Sequence, residues 1–291
     1  MAEIEGVITA MVTPFGENGA VDEAAARHLA RHLVEHGSHG LVVSGTTGES
    51  PTTSDEEKLA LLRAVRDEVG DRATIICGTG TNDTRHSEHL SAAAAEAGAD
   101  AVLAVTPYYN KPNPAGLVAH YEAVARAAGI PVVLYNIPSR VVINIPPELL
   151  AELATIENVV AVKQANNDEL GPIEGLALIA GNDEIFLRTL ELGGAGGILV
   201  ASHLVGPEMR ELYDAFRGGD AERAREIDRG LQPIYEALAV TSNPIPVKAA
   251  LEMLGLIPGG LRLPMVPADE EQRSRIRAAL ESRGLLATST A

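Results

Sequence analysis

The chain is short of cysteine, of long apolar runs and of basic residues, and each shortage removes a class of protein. Cys77 is the only cysteine in 291 residues, so no disulfide can form within the chain and a reducing, cytoplasmic setting is expected. Its surroundings, Thr74-Ile-Ile-Cys-Gly78, read as a strand in which the thiol is a small buried apolar group rather than a nucleophile. No apolar run approaches the roughly 20 residues that a membrane span needs. The mean hydropathy of +0.07 is that of a soluble globular chain. The opening Met1-Ala-Glu-Ile-Glu-Gly6 has neither the basic region nor the apolar core of a signal peptide. Twenty-three Lys and Arg against 40 Asp and Glu leave a net charge of −17, which argues against nucleic acid or an anionic membrane as partner. On so acidic a surface, any anionic substrate needs donors placed locally.

What is present is an alternation of short apolar runs and helical stretches, with no linker in the first two hundred residues. Val7–Val12, Leu41–Val43, Ile75–Ile76, Ala101–Val105, Val132–Tyr135 and Val159–Lys163 read as strands, and Leu176–Ala180 and Gly197–Val200 as two weaker ones. Helices are expected between them. Asp22 caps the first, Ser54 and Glu57 form a capping box for the second with Gly70 as its stop, and Asn82–Gly98 holds a third. Pro114 and Pro146-Pro147 open two more, and others are expected near Glu169 and over Asp183–Leu192. Eight strands spaced by helices of ordinary length indicate an α/β chain folded as a (β/α)8 TIM barrel. A doubly wound sheet is the alternative, because periodicity does not reveal strand order. After about residue 206 only helices are expected. This divides the chain into a catalytic barrel over 1–220 and a C-terminal helical appendage over 221–291, with 285–291 as a frayed tail.

In a barrel, chemistry collects at the carboxyl ends of the strands. Lys163 stands at one such end, after Val159-Val-Ala-Val162. Burial disfavours an ammonium, and a lysine left neutral near pH 7 attacks carbonyls. The plain alternative is a lysine that reaches out to water or pairs with a carboxylate. Strand two ends in Ser44-Gly-Thr-Thr-Gly-Glu-Ser50, whose N–H groups and threonine hydroxyls can converge on a carboxylate or simply form a capped turn. Only six tyrosines occur, and Tyr108, Tyr109 and Tyr135 lie at the ends of strands four and five. A phenol there either packs with one hydrogen-bond partner or shuttles protons. Arg140 can hold a second carboxylate bidentately, or be a solvated loop arginine.

Other features say less. Gly78-Thr-Gly80 lacks the third glycine of a dinucleotide fingerprint, and Gly193-Gly-Ala-Gly-Gly197 reads as a helix-to-strand turn. His28, His32 and His36 fall four apart on one helix face, a spacing that can hold metal. Arg27, Arg31 and Glu35 flank them on an outer helix, which favours a solvated stripe, and no metal site is expected.

Gly45-Thr-Thr-Gly-Glu49, Tyr108-Tyr-Asn110, Tyr135-Asn-Ile-Pro138, Val162-Lys163, Asn243-Pro-Ile-Pro-Val-Lys248 and Leu261-Arg-Leu-Pro-Met265 stand in the order and spacing of one family. The chain resembles, over nearly its whole length, the pyruvate-dependent class I aldolases, the family of dihydrodipicolinate synthases and N-acetylneuraminate lyases. Pro138-Ser-Arg140 is similar to the synthase branch, which holds aspartate semialdehyde with that arginine. The resemblance implies that Lys163 forms an imine with pyruvate, and that Thr46, Tyr135 and Tyr109 make a proton relay, Tyr109 coming from a neighbouring subunit. It further implies that Thr47 binds the pyruvate carboxylate, that Ile198 offers a backbone carbonyl and that Gly181 lies in the wall. No metal or organic cofactor is implied; the partners are pyruvate, an aldehyde and further copies of the chain in a homotetramer. A sugar-acid aldolase or neuraminate-type lyase with the same imine, or a keto-acid sensor, are the other readings. Val141, Val142, Gln164 and Asn182 depart from the usual synthase pattern. Where lysine-inhibited relatives carry an effector site, this chain has Asp55, Lys58 and His86, and the cationic Lys58 predicts weak or absent inhibition by lysine.

Overall fold

Strand parity decides the architecture. In the computed structural model, which describes residues 4–287, eight parallel strands close in sequence order: β1 Gly6–Ala10, β2 Gly40–Val43, β3 Thr74–Gly78, β4 Ala101–Val105, β5 Val132–Asn136, β6 Val159–Gln164, β7 Ala177–Ala180 and β8 Gly196–Leu199. Successive side chains point to opposite faces. Ile8, Ala10, Val42, Ile76, Leu103, Val133, Ala161, Ile179 and Ile198 fill the inside of the ring. Val7, Leu41, Val43, Cys77, Val102, Leu134, Val162 and Leu199 face the helices. Both faces are therefore apolar, the pattern of a buried parallel sheet. The closed ring excludes the doubly wound alternative.

The helices are α1 Glu23–Glu35, α2 Asp55–Val69, α3 Thr84–Glu96, α4 Pro114–Ala128, α5 Pro138–Val141, α6 Pro147–Leu153, α7 Phe186–Glu191, α8 Ser202–Arg217, α9 Ala221–Leu238, α10 Ile245–Met253 and α11 Glu270–Ser282. Local chemistry sets their starts. Asp22 accepts from the Ala25 N–H, Ser54 and Glu57 form the full capping box, and Asn113 caps α4 with Pro114 in its first turn. The ring seam closes where Gly196 meets Gly6. A Cβ on Gly196 would lie 2.2 Å from the Gly6 carbonyl oxygen, so only glycine lets β8 lie against β1.

One expectation needs correction. The helix expected near Glu169 is a single 3-10 turn, Asn167–Glu169. The run Asn166-Asn-Asp168 favours local side-chain-to-backbone bonds, and Gly171-Pro172 cannot continue a helix. The four-residue α5, which carries Arg140, was not read from the sequence; it is too short to show periodicity.

Beyond the barrel, α9 and α10 pack against α8, and α11 packs against α9 and α10. Residues 285–287 of the expected tail are described, and 288–291 lie outside the described residues. The α1 histidines form a surface stripe in which the His32 and His36 rings stack at 3.9 Å. Among the described residues, no group of three His, Cys, Asp or Glu could hold a metal ion. Nor, among them, is any helix long and apolar enough to cross a membrane. Cys77 faces α2 in the outer core, and burial pushes its thiol up to about 12, so it is inert at neutral pH.

Candidate active site

Parity and register together place the reactive groups. Lys163 shares the inward face of β6 with Ala161, and Tyr135 that of β5 with Val133. The two strands pair with Tyr135 opposite Lys163. The amine lies 4.3 Å from the centre of the phenol ring and is only 5% exposed. Burial is the main force on it. The Lys163 pKa falls to about 7, with Asp183 opposing the fall and Arg140 adding to it. An unperturbed lysine is about one part in a thousand neutral near pH 7.5, and the lowered pKa raises that neutral fraction greatly. Tyr135 moves the other way. Burial pushes it up to about 12, despite the Arg140 guanidinium and a hydrogen bond with the Thr46 side chain. It therefore stays a protonated phenol that can give a proton and take it back.

The turn after β2 brings in the hydroxyls. Thr46 and Thr47 join Lys163, Tyr135, Arg140 and Gly181 around a cavity of about 170 Å3 at the carboxyl end of the ring. Thr47 Oγ1 accepts from Asn243 Nδ2 at 2.9 Å, and Arg140 Nη2 donates to the Asn243 carbonyl at 3.0 Å. A single asparagine thus ties the hydroxyl to the guanidinium. The Gly181 N–H donates to the Gln164 carbonyl at 2.8 Å, and a Cβ there would come within 2.7 Å of that oxygen. Gly181 is what lets β7 turn away so close to Lys163. Gln164 faces outward, where its Oε1 accepts from Asn136 Nδ2 and the Asn166 N–H. It braces the strand end rather than entering the cavity.

Two of the expected site residues do not line this cavity of the single chain. Ile198 is fully buried inside the ring and does not line the cavity. Tyr109 is 88% exposed with φ of 73° and lines neither cavity of its own chain. Three contributors were missed. Asp183, just past β7, lines the cavity, and its Oδ1 accepts from the N–H groups of Val200 and Ala201 at 2.9 and 3.0 Å. Burial pushes its carboxyl up to about 6. An acid just past a strand end is legible in the sequence, but its two backbone partners are not. Asn243 and Tyr235 come from the C-terminal helices, and spacing along the chain gives no hint that these reach the barrel mouth.

A second cavity of about 540 Å3 adjoins the first and shares Thr46, Tyr135, Ile137 and Arg140 with it. Asp55 stands in it between two bases: Lys58 Nζ reaches its Oδ1 at 3.4 Å and His86 Nε2 its Oδ2 at 2.7 Å. The Lys58 side chain is almost wholly buried there.

The Dihydrodipicolinate synthetase family profile matches residues 3–283. The 4-hydroxy-tetrahydrodipicolinate synthase of Moorella thermoacetica is 47% identical over 288 residues, covering 96% of this chain and 98% of the relative. Among solved structures, the lysine-bound DHDPS of Cyanidioschyzon merolae superposes with a TM-score of 0.93 at 40% identity, covering 97% of this chain and 99% of that one. The chloride-inhibited dihydrodipicolinate synthase of Acinetobacter baumannii, complexed with pyruvate, gives 0.94 at 37% identity, covering 98% and 100%.

Proposed function

We propose that this chain, which belongs to the dihydrodipicolinate synthetase family, is a lyase that condenses pyruvate with L-aspartate 4-semialdehyde to 4-hydroxy-tetrahydrodipicolinate, on the way to diaminopimelate and lysine. The observation that carries the reading is a buried amine, its pKa lowered by burial, against a protonated phenol and two threonine hydroxyls. Lys163 attacks the keto carbon of pyruvate. Loss of water leaves a protonated imine, an electron sink that lets the methyl carbon give up a proton and become an enamine. The enamine carbon bonds to the aldehyde carbon, and the new alkoxide takes a proton. The amino group of the acceptor then attacks the imine carbon, which closes the ring and releases Lys163.

Thr47 takes the pyruvate carboxylate, and Thr46 and Tyr135 carry the protons. Tyr109, so exposed on its own chain, completes the relay of a second copy within a homotetramer. Gly181 forms the wall and Ile198 supplies a carbonyl from the ring interior. The catalytic unit is the barrel of residues 1–220, with 221–291 as its helical appendage, working in the cytoplasm. Membership of a family whose named relatives are synthases disfavours the sugar-acid alternative.

Arg140 tests the choice of acceptor. Arg140 is exposed at the boundary of both cavities, and its guanidinium, which gives one hydrogen bond to the Asn243 carbonyl, can also take the acceptor carboxylate as a charge-assisted pair. Arg140→Ala is expected to lower kcat/KM for the semialdehyde about 100-fold, as befits a lost charged pair, while pyruvate still forms the imine. Unchanged turnover of the semialdehyde contradicts the assignment. The larger cavity carries a second expectation. With the Lys58 side chain buried in its wall, a cationic amino acid meets like charge, so free lysine at ordinary concentrations inhibits turnover weakly or not at all. A lysine titration of the initial rate checks this, and full inhibition contradicts it.

A further inference from the structure

The turn that presents Thr46 and Thr47 does not hold its shape by itself. Ser44 and Glu49, at its two ends, both sit in the left-handed region with φ of 56° and 55°. Side chains other than glycine rarely adopt that region, and they persist in it where the surroundings over-determine them. Thr13 Oγ1 donates to the Gly48 carbonyl at 2.7 Å. Glu49, 4% exposed, uses both carboxylate oxygens: Oε1 pairs with the Lys248 ammonium, and Oε2 accepts from the Arg262 N–H at 3.0 Å. Lys248 is itself 2% exposed, and its amine sits over the Phe15 ring at 4.2 Å. Arg262 continues the tie, with both terminal nitrogens on Glu57 at 2.5 and 2.7 Å and further bonds to the Thr52 and Gly19 carbonyls. Lys248 lies on α10 and Arg262 beyond it, so the grip comes from outside the ring.

We propose that the buried Glu49–Lys248 pair is the positioning element of the catalytic turn: from the C-terminal helices it sets the Thr46 and Thr47 hydroxyls against Lys163 and Tyr135. A buried ion pair is a poor source of stability, since desolvating both charges offsets their attraction. It is a good source of geometry. Neither residue touches the reactants; both act through the turn, and a misplacement on the order of 1 Å there is enough to cost about 100-fold in rate. The inference rests on the reading of Lys163 as the imine former and Thr47 as the group that takes the pyruvate carboxylate.

The test removes the two charges together, so that neither is left buried alone. The double variant Glu49→Gln/Lys248→Met keeps side-chain volume. It is expected to melt within a few degrees of the parent while KM for pyruvate rises about 10-fold and kcat falls about 10-fold. KM for the aldehyde stays put, and Lys248→Arg retains most activity. A merely structural pair moves the melting temperature and neither KM, so unchanged KM and kcat overturn the proposal, as does an equal rise in both KM values. If the double variant does not accumulate folded, Glu49→Gln alone, which keeps a hydrogen bond to Lys248, is read in the same assay against the same outcomes. Borohydride trapping of pyruvate on the parent protein separates the two levels. No trapped imine on the parent sinks the functional reading, whereas a trapped imine with indifferent variants sinks only the positioning role.

Discussion

Lys163→Ala is expected to lower kcat/KM by at least about 10⁴-fold, because the substitution removes the only covalent handle on pyruvate in the cavity. Nothing nearby replaces it. Tyr135 is a protonated phenol and Asp183 is committed to the backbone N–H groups of Val200 and Ala201. The other buried amine of the C-terminal half, Lys248, is paired with Glu49. The loss should be chemical and not structural. Burying Lys163 already works against its charge, so alanine gives up side-chain packing but also sheds an unfavourable desolvation, and the melting temperature should shift little. Borohydride reduction in the presence of pyruvate should leave the variant unlabelled. Activity within a factor of ten of the parent contradicts the assignment.

Tyr135→Phe is expected to cost about 10³-fold in kcat, the middle of the range for removing a general acid–base group. The ring itself remains against the Lys163 amine and inside the barrel. What disappears is one hydroxyl and its link to Thr46. Burial keeps that hydroxyl protonated throughout the neutral range, so the parent's rate carries no titration from Tyr135 below about pH 10. The proton that must reach the departing hydroxyl when the amine becomes an imine, and the one needed by the new alkoxide, then have to move through water. Pyruvate binding, read as KM, should change by much less than kcat. A variant with normal kcat removes Tyr135 from the relay.

Much of the barrel could be read from the chain because both of its determinants are local. β4 runs over the expected Ala101–Val105, and α4 opens at Pro114 as expected. The Ser54–Glu57 box begins α2 as expected. Lys163 was legible as a lysine at the carboxyl end of a doubly buried strand, but the face it shares with Ala161 is known to be the inside of the ring only from the fold. What escaped the sequence depends on contacts between distant segments. Thr47 and Asn243 are 196 positions apart, and Glu49 and Lys248 are 199 apart. No periodicity links such pairs. Asp183 was visible as a residue, but its two backbone partners at the start of α8 exist only once β7 and β8 are neighbours. The resemblance to known aldolases supplied roles for Ile198 and Tyr109 that a single chain does not display, since one is packed in the ring and the other exposed.

The most direct measurement is the pH dependence of covalent capture. Protein, pyruvate and borohydride are combined across a pH series, and the reduced adduct is located and quantified by peptide mass analysis. An amine attacks only when unprotonated, so capture rises with pH through its pKa and then levels. With desolvation holding Lys163 near neutrality, the adduct should lie on that residue and reach half its maximum close to pH 7. An adduct on a different lysine, or a half-rise near the pH of about 10 at which a solvated lysine titrates, contradicts the account.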